Sequence, residues 1–172
     1  MKVFDIEKWN RKTQFKFFKN YEDPFFNITA NLEVLELYNY CKQHNLSFSL
    51  ACIYMALKAI NEITEFKLRF KDGDVYVFDE VHIGSTILND DNTFSFCYFQ
   101  NQTSIFEFDK SGKNLVESHK KGAKFEPKEA AIDVVHCTTL PWVSFTGFKH
   151  ARNGDEGKKG IPKINKICYK QS

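Results

Sequence analysis

Thr138-Thr139-Leu140-Pro141-Trp142-Val143-Ser144-Phe145-Thr146-Gly147-Phe148 joins an uncommon Pro-Trp pair to an alternation of hydroxyl and aromatic side chains. Side chains two apart share one face of a strand, so Trp142, Ser144, Thr146 and Phe148 fall on one side, and Val143 and Phe145 on the other. Pro141 makes a short corner between this strand candidate and the one before it, Ile132 to Thr138, because proline fixes its own φ and has no N–H for a ladder. Hydroxyls on a strand that faces a cleft can donate to a developing oxyanion. An ordinary half-buried strand has the same pattern.

Working outward, the clearest helix starts at Ser47 or Ser49 and carries Leu50, Ile53, Tyr54, Leu57 and Ile60 on one stripe, the spacing of a face packed across a sheet. Phe66, Leu68 and Phe70 alternate with Lys67 and Arg69, and Val75 to Phe78 follow an Asp72-Gly73 turn, which predicts a hairpin. Strand alternation returns at Phe94, Phe96 and Tyr98. Asp5 can cap a first helix containing Ile6, Trp9, Phe15 and Phe18, and Asn31 a second running to about Cys41, with a strand at Phe25 to Ala30 between them. Residues from about Thr103 to Lys121 read as a helix that Gly112 weakens. Asn153 to Gly160 reads as a mobile loop, and Ile161 to Tyr169 as a final strand. Helices and strands mixed with hairpins indicate an α/β domain around a mixed sheet, with no internal repeat or linker to divide it.

A chain of 172 residues fits one domain burying roughly 70% of the surface its unfolded form exposes. The 24 basic and 22 acidic residues nearly cancel, which argues against nucleic acid or an anionic membrane as partner. Cys41, Cys52, Cys97, Cys137 and Cys168 are odd in number and widely spaced, with no Cys-x-x-Cys pair for zinc or redox chemistry. The start Met1-Lys2-Val3-Phe4-Asp5 lacks an apolar signal core, and no apolar run nears the roughly 20 residues of a membrane span. The expectation is a cytoplasmic protein with reduced thiols. Eighteen phenylalanines and seven tyrosines can wall an apolar pocket or simply fill a core.

Gly-rich phosphate loops, zinc spacings and nucleophile elbows are absent from the sequence. His44, His82, His119, His136 and His150 are scattered singly, and a lone histidine is more often a surface or core residue than a base. Lys158-Lys159 reads as a solvated charge pair.

Trp9-Asn10-Arg11 followed by Phe15, Phe17 and Phe18, then Phe66 to Gly73, then Asp91-Asn92-Thr93-Phe94-Ser95-Phe96, then Pro141 to Thr146, occur in an order and spacing that resembles the chloramphenicol acetyltransferase family over residues 1 to about 169. The resemblance implies an α/β fold in which helices flank a mixed β-sheet, here missing the last strand and helix. It implies one acyltransferase-like domain over residues 1–172, C-terminally incomplete. The family is a cytoplasmic homotrimer with active sites at subunit interfaces. It transfers acetyl from acetyl-CoA to a hydroxyl of chloramphenicol or a similar acceptor and needs no metal.

Matched position by position, the resemblance assigns Thr138 the oxyanion hydroxyl and Phe17, Phe18, Phe26, Phe94 and Phe148 the substrate pocket. Asn165 and Tyr169 take places that order a water and touch CoA. Phe18 stands where well-known members have tyrosine, so a phenolic hydrogen bond to substrate is lost. Arg11 matches an arginine that in the family pairs with the aspartate of a His-His-x-x-x-Asp-Gly segment, whose second histidine is the general base. Ser172 arrives before any such segment, so the expectation is a solvated or rearranged Arg11 and a chain inactive as written. The alternatives are a non-catalytic module that binds an aromatic ligand, a subunit of a mixed trimer whose full-length copy supplies the histidine, and an enzyme using His136 or His150 instead.

Overall fold

The computed structural model describes residues 1–22, 24–121, 125–128, 131–140, 147 and 159–166. Its elements in chain order are β1 (Lys2–Val3), α1 (Lys12–Phe18), α2 (Leu35–Gln43), α3 (Phe48–Glu62), β2 (Leu68–Lys71), β3 (Asp74–Val77), β4 (His82–Leu88), β5 (Phe94–Phe99), α4 (Ile105–Lys120), β6 (Val134–Thr139) and β7 (Lys163–Lys166).

α3 forms where the spacing predicts it. Ser47 caps it, with Oγ accepting the Leu50 N–H at 3.4 Å, and the stripe Leu50, Ile53, Tyr54, Leu57 and Ile60 is buried. That stripe packs with Phe108 of α4 onto Val81, Ile83, Cys97, Phe99, Val135 and Cys137. Each large apolar side chain removed from water here contributes about 1.5–3 kcal/mol. Gly112 is the contact point of α4 with α3, since a Cβ there would stand 3.0 Å from both Leu50 methyl carbons.

The larger sheet has the order β5-β4-β6-β7. β4 and β5 form an antiparallel hairpin, whereas β6 runs parallel to β4 and β7 parallel to β6. Parallel neighbours need a crossover, and α4 lies within the connection from β5 to β6. The smaller sheet is β1-β3-β2. Asp72 and Gly73 have φ of 52° and 88°, the left-handed pair that a two-residue hairpin turn demands.

Several sequence expectations need correcting. Asp5 caps only a 3₁₀ turn, Ile6–Lys8, with Oδ1 accepting from Glu7 and Lys8; α1 starts afresh after Arg11. Phe25 to Ala30 forms no strand, since no described strand lies alongside it and a lone strand has no partner for its backbone. α2 begins at Leu35 rather than after Asn31, where Glu33 Oε1 accepts the Leu35 N–H at 2.9 Å. The central strand β4 was not anticipated at all. Arg69 reads as the polar face of a half-buried strand but is 1% exposed. The strand expected at Trp142 to Phe148 and most of the loop at 153–160 lie outside the described residues.

Candidate functional site

β6 reads Val-Val-His-Cys-Thr-Thr, mostly β-branched and suited to a pleated, packed surface. Val135 and Cys137 point into the core with α3, so Val134, His136 and Thr138 belong to the opposite face. Register carries that face across the sheet: Gly84 of β4 pairs with His136 on one side and with Tyr98 of β5 on the other. One step along, Thr86 pairs with Phe96 and stands level with Thr138, which itself pairs with Asn165 of β7.

Gly84 allows a close approach. A Cβ at that position would come within 3.0 Å of the Tyr98 ring and 3.5 Å of His136 Nδ1. Tyr98 is held from outside as well: its hydroxyl accepts the Lys128 N–H at 2.8 Å, and Lys128 Nζ sits 4.7 Å from its ring centroid. Phe94 and Phe96 meet edge to face at 5.8 Å, and Phe125 lies 5.5 Å and 5.2 Å from them. The result is an aromatic wall on β5, one strand removed from β6 with its threonines.

Phe94 is anchored by the turn before it. The Ser95 hydroxyl, fully buried, donates to Asn89 Oδ1 at 2.9 Å, and Asn89 Nδ2 donates to Thr93 Oγ1 at 2.9 Å. Asp91 accepts from both the hydroxyl and the N–H of Thr93, and these bonds hold its carboxyl below the ordinary range. On the core side of the same sheet, burial pushes the Cys97 thiol up to about 12, so it is no nucleophile near neutral pH.

The expected site residues fall into two groups. Thr138 of β6 and Phe94 of β5 lie on the same face of the larger sheet, with β4 between their strands. Phe17 and Phe18 of α1 are exposed and contact each other at 4.9 Å and Tyr21 at 5.5 Å and 5.3 Å; Phe26 is 84% exposed. Arg11 is exposed and reaches Glu65 Oε1 at 3.4 Å. Phe148 and Tyr169 lie outside the described residues, as does the side chain of Asn165. Sequence reasoning missed Phe125, which sits between α4 and β6 with no periodic pattern around it. It also left Phe96 and Tyr98 as strand residues, although their parity with Phe94 was visible.

A cavity of about 300 Å³ lies elsewhere, between α2 and the start of α3, lined by Tyr38, Cys41, Lys42, Asn45, Leu46 and Phe48. Among the described residues no group of three His, Cys, Asp or Glu is placed to hold a metal ion, and no helix is long and apolar enough to cross a membrane.

Residues 1–162 match the family model described as chloramphenicol acetyltransferase. The chain is similar to the chloramphenicol acetyltransferase of Clostridium butyricum, 30% identical over 149 residues covering 85% of this chain and 68% of that protein. It is similar also to the one from Proteus mirabilis, 29% identical over 147 residues with the same coverage. It thus spans about two thirds of the length of these relatives. A solved chloramphenicol acetyltransferase structure superposes with a TM-score of 0.81 at 25% identity, covering 96% of this chain and 81% of the other.

Proposed function

Because the chain belongs to the chloramphenicol acetyltransferase family, a family of acyltransferases, we propose that its residues bind chloramphenicol or a similar hydroxylated acceptor for acetylation by acetyl-CoA. The observation that carries this reading is one face of β5, β4 and β6, where β4 alone separates the Thr138 strand from the strand that carries Phe94 and Phe96, packed with Phe125. An aromatic wall suits the ring of such an acceptor. When the acceptor oxygen attacks the thioester carbonyl, negative charge develops on the carbonyl oxygen, and the Thr138 hydroxyl donates to it. Threonine's branched Cβ restricts χ1, which keeps that donor aimed. The 172 residues contain no His-His-x-x-x-Asp-Gly run, so the roles assigned to them are binding and oxyanion stabilisation, and removal of the acceptor proton is not among them.

The exposed Phe17, Phe18 and Phe26 complete the pocket of a neighbouring copy in a homotrimer, with Phe148 lining it, Asn165 and Tyr169 on the CoA side and Arg11 as a structural residue. Residues 1–172 form one domain of this assembly. The thiols of Cys52 and Cys97 suit a reducing compartment, the cytoplasm.

Calorimetry with chloramphenicol tests the reading. Saturable binding by the 172-residue chain is expected, weakened about tenfold or more in Phe94→Ala and Phe125→Ala, as loss of about 1.4 kcal/mol of ring contact predicts. No binding at millimolar ligand, or equal binding by both variants, would refute it.

A further inference from the structure

The most buried large side chain outside the apolar core is a charged one. Arg69 of β2 is 1% exposed, and its guanidinium spends its donors on main-chain carbonyls: Nε to Ile132 at 2.6 Å, Nη2 to Val134 at 2.9 Å, and Nη1 to Phe66 at 2.8 Å and Leu68 at 2.7 Å. Burial lowers its pKa to about 10 while the Asp133 carboxylate acts in the opposite direction, so the group stays cationic at neutral pH. A buried charge without such partners would cost several kcal/mol. Aligned carbonyl dipoles in a fixed fork are what makes this one tolerable, and lysine lacks that fork.

The four acceptors lie on two separate pieces of the fold. Phe66 and Leu68 belong to the approach to β2 in the small sheet, whereas Ile132 and Val134 open β6 in the large one. The neighbouring Phe70 ties the same strand in two other directions. Its ring stacks on Phe15 of α1 at 5.7 Å and 20°, and its N–H donates to Lys159 O at 3.1 Å, just ahead of β7. Gly160, at φ 66°, lets the backbone pass close to that ring, because a Cβ there would stand 3.0 Å from Phe70 Cδ2. β2 is therefore the joint between α1, which presents Phe17 and Phe18, and β6, which presents Thr138.

We propose that Arg69 is a positioning residue that seats β6, and with it the Thr138 hydroxyl, against β2 and the aromatic helix. Its function in catalysis rests on the oxyanion role given to Thr138; its seating of β6 does not. Arg69→Met keeps a long stem and removes every donor, while Arg69→Lys keeps the charge and up to three donors. In hydrogen–deuterium exchange, amides of Val134 to Thr139 in Arg69→Met are expected to exchange about tenfold faster or more, the equivalent of about 1.4 kcal/mol of lost local bonding. Those of Ile53 to Ile60 in α3 stay at wild-type rates, and Arg69→Lys falls between. Chloramphenicol affinity follows the same order. Wild-type exchange in β6 would overturn the proposal, and so would uniform acceleration that includes α3. If Arg69→Met does not fold, Arg69→Lys alone decides by whether its loss of protection is confined to β6. Should wild-type chain bind no chloramphenicol, the functional reading fails while the exchange pattern still decides the seating of β6.

Discussion

Cys97 shows how a single buried group sets a pH limit. Its side chain is fully buried and its thiol is pushed from 9.0 up to about 12 by burial. Between those values the folded state keeps a proton that the unfolded state has released, so stability present below pH 9 is lost as pH rises toward 12. The slope reaches at most about 1.4 kcal/mol per pH unit. Urea unfolding at pH 8 and pH 10 should therefore show a steeper loss in wild type than in Cys97→Ala; equal losses would mean the thiol is not protected. At this scale the sequence was uneven. Thr138 was legible as a strand residue, since the expected strand Ile132 to Thr138 overlaps β6. Arg69 was not legible as a buried residue, since alternation with Leu68 and Phe70 marks it as polar-facing, and burial of its guanidinium depends on carbonyls that converge from Phe66, Leu68, Ile132 and Val134.

Elements read well where one periodic face met a cap, and poorly where burial came from both sides. α3 has Ser47 and an unbroken stripe. β4, buried centrally with Ile83, Gly84 and Ser85 in its middle, gives no alternation, because Gly84 is there for the Tyr98 ring and Ser85 sits between Cys97 and Cys137 in the core. Helix starts likewise depended on contacts distant in sequence. The Ser47 N–H is taken by Asp109 Oδ1 of α4 at 2.7 Å, and Asp109 is also paired with Lys113 at 2.6 Å. Asp109→Ala removes the acceptor from a part-buried N–H and should destabilise by about 1–3 kcal/mol. Lys113→Ala breaks a pair whose lysine is half exposed and should cost no more than about 1 kcal/mol. Denaturant midpoints of the two variants check the ordering. A larger loss in Lys113→Ala would show that Lys113, whose Nζ also donates to Asn45 O at 3.0 Å, holds α4 in place more than the anchored α3 start does.

For the whole molecule, strand order and the helical layer explain the core but leave large apolar side chains of residues 17–32 exposed. Phe17, Phe18 and Tyr21 are 62%, 50% and 49% exposed, and Phe26, Ile28 and Leu32 are 84%, 77% and 81% exposed. All six come from residues 17–32, and the three most exposed large apolar side chains among the described residues, Phe26, Leu32 and Ile28, are among them. Monomers rarely present apolar patches beyond a few hundred Å². Phe26 and Ile28 alternate with Asn27 and Thr29 as a strand would, with no described strand beside them. If the proposed pocket is completed between copies, this stretch is where a second copy packs. Light scattering of wild type at tens of micromolar is then expected to give a mass above that of one chain, ideally three, and Phe26→Ser with Ile28→Ser to shift it toward one while α3 and the thermal unfolding midpoint stay unchanged. A wild type that remains a single chain would separate the two aromatic groups for good, leaving Phe17, Phe18 and Phe26 outside the pocket and the face shared by β5, β4 and β6 as its whole wall.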